Sequence, residues 1–167
     1  VLLIEPNCFE DNRGFFMETY HQQKYQKAGI NQAFVQDNHS HSSRGVLRGL
    51  HYQLKHPQGK LIYAVTGTIF DVAVDIRKGS PSFGQWTGAE LSAENKRMFW
   101  IPEGFAHGFL SLEDGTQFIY KTTDYYAKQS EGSILWSDSN IAVDWPYISN
   151  LKINEKDQTA DYFKKTD

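Results

Sequence analysis

The chain has 167 residues, of which 17 are Lys or Arg and 20 are Asp or Glu, giving a formal net charge of −3. That length suits roughly one domain with about 70% of its unfolded surface to bury, so folding needs neither a disulfide nor a metal. The mild acidity excludes a dominant electrostatic grip on nucleic acid or anionic lipid, though not a local basic pocket for a small anion. One cysteine, Cys8, excludes an intrachain disulfide and a multi-cysteine zinc site. No apolar run approaches the roughly 18 residues of a membrane helix, and no basic segment followed by an apolar stretch reads as a leader. The expectation is a soluble, cytoplasmic protein with a single domain over residues 1–167.

In chain order, Asp-Asn-Arg-Gly-Phe-Phe places Arg13 in a turn, exposed by default. His21–Ala28 is polar and rich in Lys and Gln, with Gly29 where a C′ glycine would sit, and reads as a helix. Gln36-Asp37-Asn38 follows the apolar Phe34-Val35 and reads as a strand end. Ten of the 13 glycines then fall between Gly45 and Gly115, and the runs between them are rich in β-branched and aromatic residues. Val46–Tyr52, Leu61–Val65, Thr68–Asp75, Gln85–Leu91, Met98–Ile101, His107–Leu110 and Gln117–Tyr125 are predicted strands. Thr66-Gly67 signals a hairpin. In Thr68–Ile76 one face carries Phe70, Val72, Val74 and Ile76, the other Ile69, Asp71, Ala73 and Asp75. Asn154 is positioned to cap a short helix over Glu155–Tyr162. Two helices are too few for a parallel βαβ fold, so the chain reads as all-β and mainly antiparallel.

Several residues in these elements could carry chemistry. Arg48 and His51 lie three apart, which puts them on opposite faces of a regular strand. Gly49 between them is where a bulge would bring both to one side. Pro102, Gly104 and Gly108 fix a turn that delivers His107, and Pro-x-Gly-x-x-His resembles the second motif of the cupin superfamily, a double-stranded β-helix or jelly-roll barrel. Metal-binding cupins carry His-x-His, but His51 is followed two residues later by Gln53. His39-Ser40-His41 has the spacing without a following carboxylate. No metal is therefore expected, with a metal-dependent cupin using His39, His41 and His107 as a remote alternative. Tyr120 shares parity with Phe118 and Thr122, so it packs in the core or points into a cavity. Lys60 opens a strand after Gly59, where an exposed edge lysine is the plain reading.

Taken together, FVQDN at 34–38, VLRGLHYQ at 46–53, QGKL at 58–61, FDVAVDIR at 70–77, FGQW at 83–86, WIPEGFAHGF at 100–109, Tyr120-Lys121 and EGSILW at 131–136 closely resemble the dTDP-4-dehydrorhamnose 3,5-epimerase family. The resemblance runs from about Leu3 to Phe163. It implies a cupin-type barrel with a few short peripheral helices, a homodimer in which the N-terminal segment takes part, and no metal or organic cofactor. The implied substrate is dTDP-4-dehydro-6-deoxy-D-glucose and the product dTDP-4-dehydro-L-rhamnose, a step of dTDP-L-rhamnose biosynthesis for cell-surface polysaccharide. By motif match the general base falls on His51, its carboxylate partner on Asp157, the tyrosine acid on Tyr120 and the pocket lysine on Lys60. Nucleotide and diphosphate contacts fall on Arg13, Glu18, Gln36, Asp37, Asn38, Arg48, Glu131 and Lys156. Tyr126 matches the tyrosine that stacks on thymine, and His107 lines the pocket.

The chemistry fits those residue types. A C4 ketone acidifies the hydrogens on C3 and C5, and returning a proton to the opposite face of the enolate inverts the carbon. A neutral histidine is a suitable base near pH 7. A lysine can stabilise the developing O4 charge, and a nearby lysine cation should also make the phenol of Tyr120 more acidic. Arginines suit a diphosphate. A 3-only or 5-only epimerase and a non-catalytic sugar-nucleotide-binding cupin are the alternatives within this reading.

Overall fold

The structure is a computed structural model that describes residues 1–164. Its strands are β1 (Leu2–Ile4), β2 (Cys8–Asp11), β3 (Gly14–Met17), β4 (Gln36–Ser42), β5 (Leu47–Gln53), β6 (Lys60–Thr66), β7 (Thr68–Asp75), β8 (Trp86–Ser92), β9 (Met98–Ile101), β10 (Phe105–Ser111), β11 (Thr116–Thr122) and β12 (Glu131–Ser133). Two short helices, α1 (Gln22–Lys27) and α2 (Glu155–Gln158), flank them. One five-stranded sheet has the order β1-β9-β6-β11-β4, the other β12-β5-β10-β7-β8, and β2-β3 forms a separate hairpin. Every strand pair is antiparallel.

The alternation in β7 explains the layering. Ile69 and Ala73 point between the two sheets into a core with Ile62, Phe99, Ile101, Phe109 and Phe118. Val72 and Val74, on the other face, pack with Leu50 and Ala106 beneath Ile134, Ile141 and Phe163. The segment after β12 therefore roofs the outer face of the second sheet, and both faces of β7 are dry. The outer face of the first sheet is covered at Leu61, Met98 and Trp100 by Ile30, Tyr20, Tyr25 and Phe34 around α1.

All seven expected strands form, with small differences at their ends, but Thr66-Gly67 is not a hairpin turn: it carries the chain from β6 in one sheet to β7 in the other, and the two strands do not pair. β11 begins at Thr116 and stops at Thr122, short of Tyr125, because Thr122 and Tyr125 both hydrogen-bond to Asp124 in a turn. The stretch read as a strand end at 36–38 is a full edge strand, β4. Its polar alternation carries no β-branched signal, yet β11 pairs with it from Thr116↔Ser42 to Thr122↔Gln36. Likewise the turn at Arg13 is the tip of the β2-β3 hairpin. Asn154 caps α2 through its side chain as expected, accepting from Asp157 N at 2.7 Å. The helix ends at Gln158 instead of Tyr162, because Asp161 bridges to Ile134 and Phe163 N is bound by Asp138. Tertiary pairing there outweighs a weak helical preference.

Candidate active site

The site begins with an irregularity in β5. His107 pairs with His51 and Phe109 with Arg48, so two steps along β10 answer three along β5. The extra residue is absorbed at Gly49, whose φ of +125° suits glycine, and a Cβ there would sit 2.5 Å from Gly108 Cα. Arg48 and His51 consequently line the same cavity, as the bulge reading required. The cavity has a volume of about 410 Å³. Its walls include His51, His107 and Arg48 from the second sheet and Asn38 and Tyr120 from the first, over a floor of Phe109 and Phe118.

His51 Nε2 lies 2.7 Å from Asp157 Oδ1, and Asp157 is fully buried. The other carboxylate oxygen accepts from Gly49 N at 3.2 Å. Burial alone would raise the Asp157 carboxyl. The His51 hydrogen bond and charge, the Gly49 amide and Lys156 outweigh it, and its pKa lies below the ordinary value. A carboxylate only accepts hydrogen bonds, so Nε2 carries the imidazole proton and Nδ1 keeps the lone pair of a base.

Tyr120 stands on the opposing sheet, its ring 6.5 Å from that of His107 and 6.0 Å from that of Phe118. Burial pushes its phenol above the usual value, opposed by the Arg48 cation. The sequence reading expected a lysine to acidify this phenol. The opposing charge comes instead from arginine, and the net shift is upward because desolvation of the phenolate dominates.

Lys60 is buried at the start of β6, contrary to the plain reading of an exposed edge lysine. The first residues of that strand lie between β9 and β11, not at an edge. Burial lowers its pKa to about 8, with Asp71 acting to raise it. Lys60 does not line the main cavity; its closest electrostatic link runs through Asp71 to His107. Asp71 holds His107 Nε2 at 3.0 and 2.9 Å through its two oxygens, and both residues are buried. Burial raises the Asp71 carboxyl, opposed by His107 and Lys60. Asp71 carried no assigned role from sequence; its place on the inward face of β7 was the available signal.

A second group is linked to the cavity wall through Asn38. Glu131 Oε2 accepts from Lys156 at 2.6 Å and from Tyr126 Oη at 3.2 Å. Gln36 donates to Asn38 at 2.9 Å and accepts from Tyr126 N at 3.1 Å. Three expected contacts lie apart within one chain. Asp37 faces outward and pairs with Lys121 at 2.9 Å. Arg13, 86% exposed at the hairpin tip, pairs with Asp11, and Glu18 pairs with Lys24. The histidines of the metal alternative do not converge: His39 is exposed and bound to Gln117, His41 is exposed, and His107 is buried on Asp71. No group of three His, Cys, Asp or Glu among the described residues is arranged to hold a metal ion.

Two facing antiparallel sheets that close on a polar cavity, with a histidine–carboxylate pair on one wall and a protonated tyrosine on the other, define a cupin-type barrel enzyme equipped for proton transfer. A family model for dTDP-4-dehydrorhamnose 3,5-epimerase matches residues 1–165. The dTDP-4-dehydrorhamnose 3,5-epimerase of Pseudomonas aeruginosa is 54% identical over 168 residues, covering 100% of this chain and 93% of that protein. A crystal structure of dTDP-6-deoxy-D-glucose-3,5-epimerase from Legionella pneumophila, in complex with dTDP-4-keto-L-rhamnose, is 53% identical. It superposes with a TM-score of 0.94 over 96% of this chain and 86% of that one. A 3′-monoepimerase from Streptomyces bikiniensis, in complex with dTDP-quinovose, is 31% identical with a TM-score of 0.90, over 96% and 82% of the two chains. The chain belongs to the dTDP-4-dehydrorhamnose 3,5-epimerase family.

Proposed function

We propose that this protein epimerises dTDP-4-dehydro-6-deoxy-D-glucose at C3 and C5 to dTDP-4-dehydro-L-rhamnose. The observation that carries the reading is the buried Asp157 bound to His51 across the cavity from Tyr120. His51 Nδ1 removes a proton next to the C4 ketone, and Asp157 stabilises the imidazolium that forms. Tyr120 returns a proton from the other wall, which inverts the carbon. Arg48 offers a bidentate cation to the diphosphate. Lys60, held cationic below about pH 8, together with His107 on Asp71, supplies positive potential for the enolate oxygen. Tyr126 stacks on the base, beside Gln36, Asn38, Glu131 and Lys156.

Arg13 and Glu18 fit this reading through a homodimer. The hairpin bearing Arg13 exposes the cross-strand partners Phe9 (68%) and Phe16 (71%) on one face and Phe15 (60%) on the other, more apolar surface than a free hairpin keeps. Seated on a second copy, it would bring Arg13, with Glu18 just beyond it, toward that copy's anionic ligand.

The test is solvent-deuterium incorporation into the 4-keto sugar, read separately at C3 and C5. Label at both carbons, with inverted product, is expected. Label at one carbon alone would reassign the protein as a single epimerase, the activity named for the Streptomyces bikiniensis relative. No label at either, with dTDP still bound, would reduce it to a sugar-nucleotide-binding cupin.

A further inference from the structure

Gln53 sits two residues beyond His51 on the same strand and is buried, with 8% of its surface exposed. Its amide is fully engaged, and every partner is backbone. Nε2 donates to His56 O at 2.7 Å and to Tyr125 O at 3.2 Å, while Oε1 accepts from Ala127 N at 2.8 Å. The last two groups flank Tyr126 on either side. The amide of Tyr126 itself is held by Gln36 from the opposite sheet. The Tyr126 side chain, by contrast, is exposed, and among the described residues it is tethered only at its hydroxyl, to Glu131.

A ring with a free face on a pinned backbone is what base stacking asks for: the platform is open, and its pose costs little further ordering on binding. We infer that Gln53 is a positioning residue for nucleobase recognition, fixing the backbone on both sides of Tyr126 so that its ring meets the base already in place. The inference rests on the proposed stacking role of Tyr126. The position demands a neutral amide, since two contacts need a donor and one needs an acceptor. A carboxylate would turn both donor contacts into repulsion against carbonyl oxygens, and an apolar side chain would leave all three backbone groups unpaired.

The experiment is a double-mutant cycle of Gln53→Met and Tyr126→Ala, with dTDP and inorganic pyrophosphate as the two probes in titration calorimetry. Met keeps the length of the side chain and removes every hydrogen bond. Gln53→Met is expected to weaken dTDP binding by about fivefold or more, within the range of one lost base stack. It should raise KM in parallel, lower kcat by less than about threefold and leave pyrophosphate affinity within about twofold. In the Tyr126→Ala background the same change should move dTDP affinity by less than about twofold. Additive losses, an unchanged dTDP affinity, or a parallel loss of pyrophosphate binding and kcat would each overturn the assignment. If Tyr126→Ala alone leaves dTDP affinity intact, the stacking reading fails and this inference falls with it; if Tyr126→Ala weakens binding and the cycle is additive, only the role of Gln53 fails. Should Gln53→Met not fold, Gln53→Glu, which keeps the contact to Ala127 N, carries the same cycle with the same criteria.

Discussion

Asp157→Asn is expected to slow enolisation by about 10²–10³-fold while leaving the barrel and dTDP binding intact. The substitution is isosteric, and the cap from Asn154 uses the backbone amide of residue 157, so α2 keeps its start. Two effects act on His51. The first is loss of charge. With Nε2 and Oδ1 2.7 Å apart, the charge centres of an imidazolium–carboxylate pair stand roughly 4 Å apart, which is worth about 4 kcal/mol at an effective dielectric of about 20. At about 1.4 kcal/mol per decade that is nearly a thousandfold. Solvent at the partly exposed His51 ring trims it toward the lower end of the range. The second effect concerns the proton. The carboxylate accepts from both His51 and Gly49 N, whereas an asparagine has one oxygen and one amide nitrogen for the two positions. With the oxygen kept on Gly49 N, the amide donates to His51 Nε2 and forces the proton onto Nδ1, so the base lone pair is lost. The assay is deuterium exchange at C3 and C5 in heavy water under saturating substrate. Exchange within tenfold of wild type at both carbons would refute the dyad, and a parallel loss of dTDP affinity would mean that Asp157 only holds the fold.

Tyr120→Phe should keep His51-dependent exchange yet form little inverted product, because burial keeps the phenol protonated at neutral pH; wild-type rates of inverted product would remove it as the donor. Lys60 should impose a basic limb on kcat, falling as pH rises through about 8, and a profile flat to pH 9.5 would show that its charge is not used. The stability sign is opposite: the folded value lies below the unfolded 10.5, so the cost of burying the cation is present in full below about 8 and is relieved between 8 and 10.5. Chemical denaturation of wild type against Lys60→Met across that window measures it. The protein should run as a dimer by light scattering at micromolar concentration, and Phe9→Ser with Phe16→Ser should shift it toward monomer; a wild-type monomer would reject the hairpin's role.

Legibility in the sequence followed the physics of each element. The β-strands on either side of the core announced themselves through apolar alternation and glycine punctuation. The bulge in β5 was readable because glycine stood between two residues whose parity otherwise conflicted. β4 was hidden because an edge strand paired on one side, with polar residues on both faces, lacks the apolar alternation that marks a strand. The burial of Lys60 was hidden because its neighbours in the sheet, Ile101 and Thr122, come from distant parts of the chain. The partners of Gln53 are backbone groups as far as 74 residues away, and no side-chain pattern encodes a hydrogen bond to a peptide group. Roles for His51, Asp157 and Tyr120 came from motif order across the whole chain, since a lone histidine or tyrosine on a strand is mostly structural.

The carboxylate that completes the His51 dyad comes from 106 residues further along the chain, on the same stretch that roofs Leu50, Val72, Val74 and Ala106. On the proposed mechanism, competence for chemistry and cover for the second sheet therefore arrive together, with the stretch that follows β12. A nascent chain that stops at β12 has the histidine without the carboxylate that sets its tautomer, and it presents an apolar sheet face to water without Ile134, Ile141 and Phe163. Such a product is prone to association and clearance rather than to slow, inaccurate turnover. Truncations that remove this stretch should accordingly cost yield and activity in the same step.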